Sequence, residues 1–228
     1  MQERARRTRE TILRAAAAAF EANGYGATTL QEITRHEDVS KGALYFHFPD
    51  KETLAATIVA EYDALWRGLL EELRPRHPRA LVLLVEFSWA VGLAFRDNPP
   101  ARAGIRLLLE TRLYASHTRP PHTGWIAETA ALLAEADRQG DLAPGVNTAD
   151  VARFMVATFT GLQQIVILDG GPADPVSCVT TMWRCLLPGL VQPERLPELL
   201  DLLNARAAMT GHSAPGHVTP APAEPGPA

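Results

Sequence analysis

Residues 29–48, TLQEITRHEDVSKGALYFHF, decide the fold. Thr29 can cap the amide three residues on while Glu32 reaches back, a reciprocal capping box that opens a short helix ending near Arg35. His36-Glu37-Asp38-Val39 has the character of a turn, and Ser40 then offers an N-cap to Lys41-Gly42-Ala43-Leu44-Tyr45-Phe46. Phe48-Pro49 forces an extended exit. Two short helices on a four-residue turn have the dimensions of a helix-turn-helix, whose second helix enters the DNA major groove. In that reading Ser40, Lys41 and Tyr45 can reach phosphates or bases, and small Gly42 and Ala43 let the helix approach base edges. Leu44 and Phe48 pack inward. His47 meets a phosphate, as does Lys51 at the next helix's N-terminus, where free amides already favour an anion.

Working outward, Thr8 to Asn23 reads as a helix with Ile12, Leu13, Ala16, Ala19 and Phe20 on one face and Asn23-Gly24 as its stop. Downstream, Asp50 caps a longer helix toward Arg74, carrying Leu54, Ile58, Tyr62, Leu65 and Leu69 at helical spacing, closed by Pro75 and Pro78. Further apolar periodic stretches run from Ala80 to Phe95, Ala101 to Tyr114, Trp125 to Arg138, Thr148 to Leu168, Pro175 to Leu187 and Pro193 to Ala208. No segment joins period-two alternation to β-branched residues, so the expected class is all-α. The expected organisation is a three-helix helix-turn-helix domain in residues 1–50, a helical bundle in 51–210 and a disordered tail in 211–228.

Composition narrows the classes. The chain has 228 residues, 46% hydrophobic and 21% charged, enough for a substantial core. The net charge of −4 argues against a generally basic DNA binder, and residues 1–50 hold seven basic and seven acidic side chains, so DNA binding must rest on local patches and dimerisation. One such patch is N-terminal: Arg4, Arg6, Arg7, Arg9 and Arg14 stand against Glu3 and Glu10, and the first four can form an arm that follows the DNA backbone or enters the minor groove. The start is polar and no apolar run is long enough to span a bilayer, so the expectation is a cytoplasmic protein with no membrane partner. Cys178 and Cys185 lack metal or disulfide spacing and read as small apolar groups. Gly24-Tyr25-Gly26 lacks both the strand and the third glycine of a dinucleotide site, and no nucleophile elbow, P-loop or zinc-protease motif occurs. No metal, no cofactor and no catalytic residue is expected. His117 and His122 flank a Pro-rich loop.

Residues Thr29 to Ile33 and Val39 to Phe48, with Lys51, Glu52 and Leu54, closely resemble the operator-binding domain of the TetR family. His36-Glu37-Asp38 departs from the Ala-Gly turn common there. The resemblance implies that Thr28 and Thr29 touch phosphate and that residues 51–210 sense a ligand and dimerise. Ala101-Arg102-Ala103-Gly104-Ile105-Arg106-Leu107, Gly124-Trp125 and Thr158-Phe159-Thr160-Gly161-Leu162-Gln163 resemble the γ-butyrolactone receptors within that family. Those bind small lactone, butenolide or furan signals and release DNA, with a pocket tryptophan matched here by Trp125. The implied ligand contacts are Tyr62, Phe87, Leu108, Trp125, Thr129, Thr158, Thr160, Gln163 and Gln164: apolar walls with a few polar groups that orient an amphipathic ligand. The implied partners are double-stranded operator DNA, a small amphipathic signal and a second copy, paired through Thr148 to Leu168 and Pro175 to Leu187 as a four-helix bundle.

Overall fold

The computed structural model describes residues 2–35, 39–110, 121–169 and 174–209. The expected turn at His36-Glu37-Asp38, the helix end near Tyr114, the loop around His117 and the tail lie outside them, as does the side chain of His122. Among the described residues the regular structure is helical: α1 (Gln2–Ala27), α2 (Leu30–Ile33), α3 (Lys41–His47), α4 (Lys51–Leu73), α5 (Ala80–Asp97), α6 (Pro99–Glu110), α7 (Pro121–Arg138), α8 (Thr148–Asp169), α9 (Pro175–Leu190) and α10 (Leu196–Met209). The chain is therefore all-α. A lone antiparallel bridge joins Leu142 to Val191.

The caps form as the sequence dictates. Glu32 N–H donates to Thr29 Oγ1 at 3.2 Å while Thr29 N–H donates to Glu32 Oε2 at 2.7 Å, so both halves of the capping box are made. Ala43 N–H donates to Ser40 Oγ at 3.2 Å to start α3, and Thr53 N–H donates to Asp50 Oδ1 at 2.6 Å to start α4. Helix α1 departs from expectation at both ends. It begins at Gln2 rather than Thr8, its first turns laced by Arg7–Glu3 and Arg6–Glu10 pairs one turn apart at 2.6 and 2.8 Å. It breaks at Gly24, where φ is +76°, then makes one more turn to Ala27. Pro188 also fails to end α9, which carries one more turn to Leu190.

Two cores result. The first gathers Ile12, Ala16 and Phe20 of α1, Ile33, Leu44 and Phe48 around the turn, Leu54 to Trp66 of α4, and Ala101 to Leu108 of α6. The second joins α5, α7, α8, α9 and α10 around Trp183, Leu133, Leu187 and Leu203. Helix α4 leaves the first core and enters the second at Leu70, while Phe87 and Phe159 pack against both. On α4 the deepest stripe runs through Tyr62, Trp66 and Leu70, leaving Leu65 and Leu69 half-buried. Asp141, wholly buried, accepts from Arg79 Nε at 3.2 Å and Arg195 Nε at 2.7 Å, tying the start of α5 to the link between α9 and α10.

Candidate functional site

Helix α3 presents one bare face. Lys41, Gly42, Tyr45 and Phe46 are exposed, while Leu44 and Phe48 are buried against α1. Nothing lies within 4 Å of where a Gly42 side chain would start, so this face is open to a close approach. His47, half-buried, stands edge-on to Phe46 with ring centroids 5.1 Å apart. Phe46 was not singled out from the sequence, yet it is 82% exposed, beside a Tyr45 that is 49% exposed. Its apolar character pointed to core; only its angular position, on the side of α3 away from Leu44, could have signalled the surface.

Several expected DNA contacts are placed differently. Thr28 is fully buried, and its hydroxyl donates to Gly24 O at 2.7 Å and Ala19 O at 3.1 Å, closing the carbonyls that the break in α1 leaves open. It has no side-chain surface for a phosphate. Lys51 is also occupied: its Nζ donates to Tyr25 O at 2.8 Å and Thr28 O at 2.9 Å and sits 4.2 Å from the centre of the Tyr25 ring. That ammonium locks the start of α4 onto the end of α1. Thr29 remains exposed. Arg4, Arg6, Arg7 and Arg9 form no extended arm, because they lie on helical turns. Arg9 turns inward, 3.2 Å from Glu61 and over the Phe48 ring.

Helix α6 grips α1 from the other side. Tyr25 N–H donates to Glu110 Oε2 at 2.7 Å, Arg106 Nε holds Glu110 Oε1 at 2.6 Å, and a second Arg106 nitrogen donates to Glu21 O. Arg102 Nε donates to Glu21 Oε1 at 2.5 Å while its other arm reaches Phe95 O and Arg96 O at 2.9 and 2.6 Å. These groups cap the broken end of α1 with side chains from α6.

The opposite face of α6 lines a cavity. Ile105 and Leu108 of α6, Tyr62 and Trp66 of α4, Phe87 and Val91 of α5, Trp125 and Thr129 of α7, and Phe159, Thr160 and Gln163 of α8 enclose it. It holds about 750 Å³ of unfilled space, mouth included. Trp125 is half-buried and stacks on Phe87 with centroids 6.0 Å apart. Burial pushes the Tyr62 hydroxyl up to about 12, so it is a neutral phenol at any physiological pH.

Seven of the nine residues expected to meet a ligand therefore line one cavity: Tyr62, Phe87, Leu108, Trp125, Thr129, Thr160 and Gln163. Thr158 and Gln164 do not. At about 100° per residue, the stripe Met155, Phe159, Gln163 faces the cavity and both of these fall more than a quarter turn away. Gln164 is exposed, and Thr158 shares its side of α8 with exposed Phe154 and Ile165. Trp66, Ile105, Met155 and Phe159 were missed, since an apolar side chain facing a cavity has the same periodic signature as one facing a core.

A helix-turn-helix bonded through two of its neighbours to a largely apolar cavity defines a class: one-chain regulators that read DNA at one end and a small molecule at the other. The model of bacterial regulatory proteins of the tetR family matches residues 12–58. The chain is 37% identical over 193 residues to the A-factor receptor protein of Streptomyces griseus, covering 84% of this chain and 67% of that protein. A crystal structure of a γ-butyrolactone receptor, described as ArpA-like, superposes with a TM-score of 0.80 at 30% identity, over 90% of this chain and 99% of that one. CprB, a TetR family protein of Streptomyces coelicolor solved in complex with its operator sequence, superposes with a TM-score of 0.80 at 32% identity, over 89% and 98% of the two chains. The chain belongs to the TetR family of transcriptional regulators, in its γ-butyrolactone-receptor group.

Proposed function

We propose that this protein represses transcription by holding a palindromic operator as a homodimer, and that a small amphipathic signal of the γ-butyrolactone, butenolide or furan type enters the cavity and releases the DNA. The observation that carries this reading is the course of α4. Its first residue, Lys51, is hydrogen-bonded to the end of α1 beside the helix-turn-helix, and three to four turns on, Tyr62 and Trp66 form the cavity wall. A ligand that moves Tyr62 therefore moves the helix on which the reading head is mounted.

In this reading residues 1–50 read DNA, with Ser40, Lys41, Gly42, Ala43, Tyr45 and His47 at the groove and Thr29 beside a phosphate. Arg4, Arg6 and Arg7 flank the backbone from a helix. Residues 51–210 sense and dimerise. The side of α8 that carries Phe154, Thr158 and Ile165, with α9 beside it, supplies the surface for the second copy: Phe154 and Ile165 stand 56% and 51% exposed on one face of the helix. Two reading heads must then stand about 34 to 36 Å apart, or a multiple of that, to occupy successive turns of one DNA face. The work is done in the cytoplasm and involves no catalytic step. Among the described residues no helix is long and apolar enough to cross a membrane, in keeping with a partner that is DNA.

The test is a gel shift at fixed salt on DNA upstream of the protein's own gene, with and without an organic extract of the producing culture. A specific complex dissolved by the extract is the expected result. A specific complex indifferent to every extract fraction overturns the effector part, and the absence of any specific complex overturns the operator part.

A further inference from the structure

The cavity wall carries an unanswered donor. Among the described residues two buried side-chain nitrogens make no hydrogen bond: Trp89 Nε1, which is not part of the cavity wall, and Gln163 Nε2, which is. Gln163 is only 5% exposed, so this amide N–H is cut off from bulk water and lies in a lining that is otherwise mostly hydrocarbon and aromatic ring. A buried donor without an acceptor costs about 1–3 kcal/mol, and this one, unlike Trp89 Nε1, stands in a cavity wall where an acceptor can reach it. Of the neighbouring polar groups, the Tyr62 hydroxyl lies near enough to feel the Gln163 amide without completing a well-formed bond to Nε2, and two others are already engaged. The Thr160 hydroxyl donates to Val156 O at 2.8 Å, and the Ser88 hydroxyl donates to Val85 O while accepting from Trp183 Nε1, both at 2.7 Å.

The charge of the lining is equally specific. Among the described residues, none of the side chains around the cavity is Asp, Glu, Lys, Arg or His, and its phenol, Tyr62, stays protonated. An anion entering here loses its hydration and meets no cation among these side chains to replace it.

We propose that the Gln163 side-chain amide reads the effector by donating its Nε2–H to the effector's carbonyl oxygen, and that the cavity admits uncharged oxygen heterocycles bearing an alkyl chain while rejecting carboxylates of the same shape. The proposal rests on the reading of this cavity as the effector site and narrows it: neutral lactones and butenolides fit, and acidic furans do not.

The test uses three probes of equal chain length: a γ-hexyl-γ-butyrolactone, the 2-hexyltetrahydrofuran that lacks its carbonyl, and a 5-hexylfuran-2-carboxylate. Binding is followed at neutral pH by quenching of tryptophan emission, because Trp66 and Trp125 stand in the wall. The full-length protein and its Gln163→Leu variant are compared. Leucine is close in size and leaves no orphan donor, so the variant is expected to melt no lower than the parent. The parent should bind the lactone about tenfold more tightly than the tetrahydrofuran, the worth of one buried hydrogen bond, and bind the carboxylate least. In Gln163→Leu the lactone and tetrahydrofuran should bind alike. A tenfold preference that survives in Gln163→Leu overturns the assignment of Gln163. A carboxylate that binds the parent as tightly as the lactone overturns the neutrality rule. If no probe quenches a parent that still shifts operator DNA, the effector-site reading itself falls, and this proposal with it.

Discussion

Gly104→Ala puts the packing of α6 on α4 to a quantitative test. A Cβ built on Gly104 stands 2.5 Å from Tyr62 Cβ, 2.8 Å from its Cγ and 2.9 Å from its Cδ2. Carbon atoms rest about 3.5–4.0 Å apart, so the two helices must separate by about 1 Å. The obstructing atoms are the root of the Tyr62 side chain, which cannot swing aside without moving α4. Overpacking of this kind costs about 1–3 kcal/mol, and alanine's better helix propensity returns up to about 1 kcal/mol. A net loss of about 1–2 kcal/mol follows, a fall of several degrees in melting temperature for a chain of this length. Gly68→Ala on the exposed side of α4 is the control, since nothing lies within 4 Å of its new methyl and only the propensity gain remains. Melting followed by circular dichroism separates the two. If Gly104→Ala melts as high as Gly68→Ala, the close approach of α6 to Tyr62 is not a constraint and the coupling argued from it fails.

Other consequences can be read independently. Lys51→Met should weaken operator binding and lower stability without changing the salt dependence of binding, because its ammonium is bonded to Tyr25 O and Thr28 O and not to a phosphate. Lys41→Ala should instead flatten the plot of log affinity against log salt by about 0.9 for each phosphate that the lysine neutralises, and equal slopes in the two variants contradict this division. Trp125→Ala should keep operator binding and lose the response to effector; loss of both makes this tryptophan a structural one. Thr158→Val should leave effector affinity untouched and act, if anywhere, on dimerisation measured by sedimentation. The helix-turn-helix should also be acid-sensitive. The carboxyls of Glu32 and Asp50 are held below their ordinary 4.5 and 3.8, chiefly by the Thr29 and Thr53 backbone N–H groups they accept. A depressed pKa means stability present in full above the ordinary value and lost as pH falls through the lower folded one. Melting temperature should therefore decline below about pH 4.5, and less steeply in Glu32→Gln with Asp50→Asn; identical curves refute the assignment.

The helix-turn-helix was legible because its signals are local. A capping box, an N-cap serine and an N-cap aspartate each act within three residues, and all three bonds form between the atoms the sequence nominates. The cavity was legible only in outline. Trp125 and Gln163 stood out as polar or large groups on apolar helices, whereas Trp66 and Met155 gave no sign, because facing a void and facing a core impose the same period. Thr158 and Gln164 were misplaced for the reverse reason: a polar residue on α8 suits either the cavity or a partner subunit, and only the rotation of the helix decides. The roles of Thr28 and Lys51 were hidden by distance in sequence. Lys51 answers carbonyls left open at Tyr25 and Thr28, and no rule of local spacing connects those positions.

The size of the cavity sets the terms on which any signal acts. An effector whose ring and alkyl chain outgrow the space that stands open has to push the cavity walls apart. Two of those walls are α4 and α6, and neither is free to yield alone. Tyr62 sits against Gly104, α6 holds α1 through Glu110, Arg106 and Arg102, and α4 holds the same end of α1 through Lys51. Displacement at the wall is thus delivered to both attachments of the reading head together. Moving a regulator from almost wholly competent to almost wholly incompetent takes a differential affinity of about 5.5 kcal/mol, or about 2.7 kcal/mol for each effector in a dimer. The burial of a few methylenes of an alkyl chain and one hydrogen bond can supply that much, provided they form fully only in the expanded cavity. A ligand small enough to fit the cavity as it stands gains the same interactions in both states and shifts nothing. Short-chain lactones should therefore bind without releasing DNA, and release should set in with the chain length that first forces Tyr62 from Gly104.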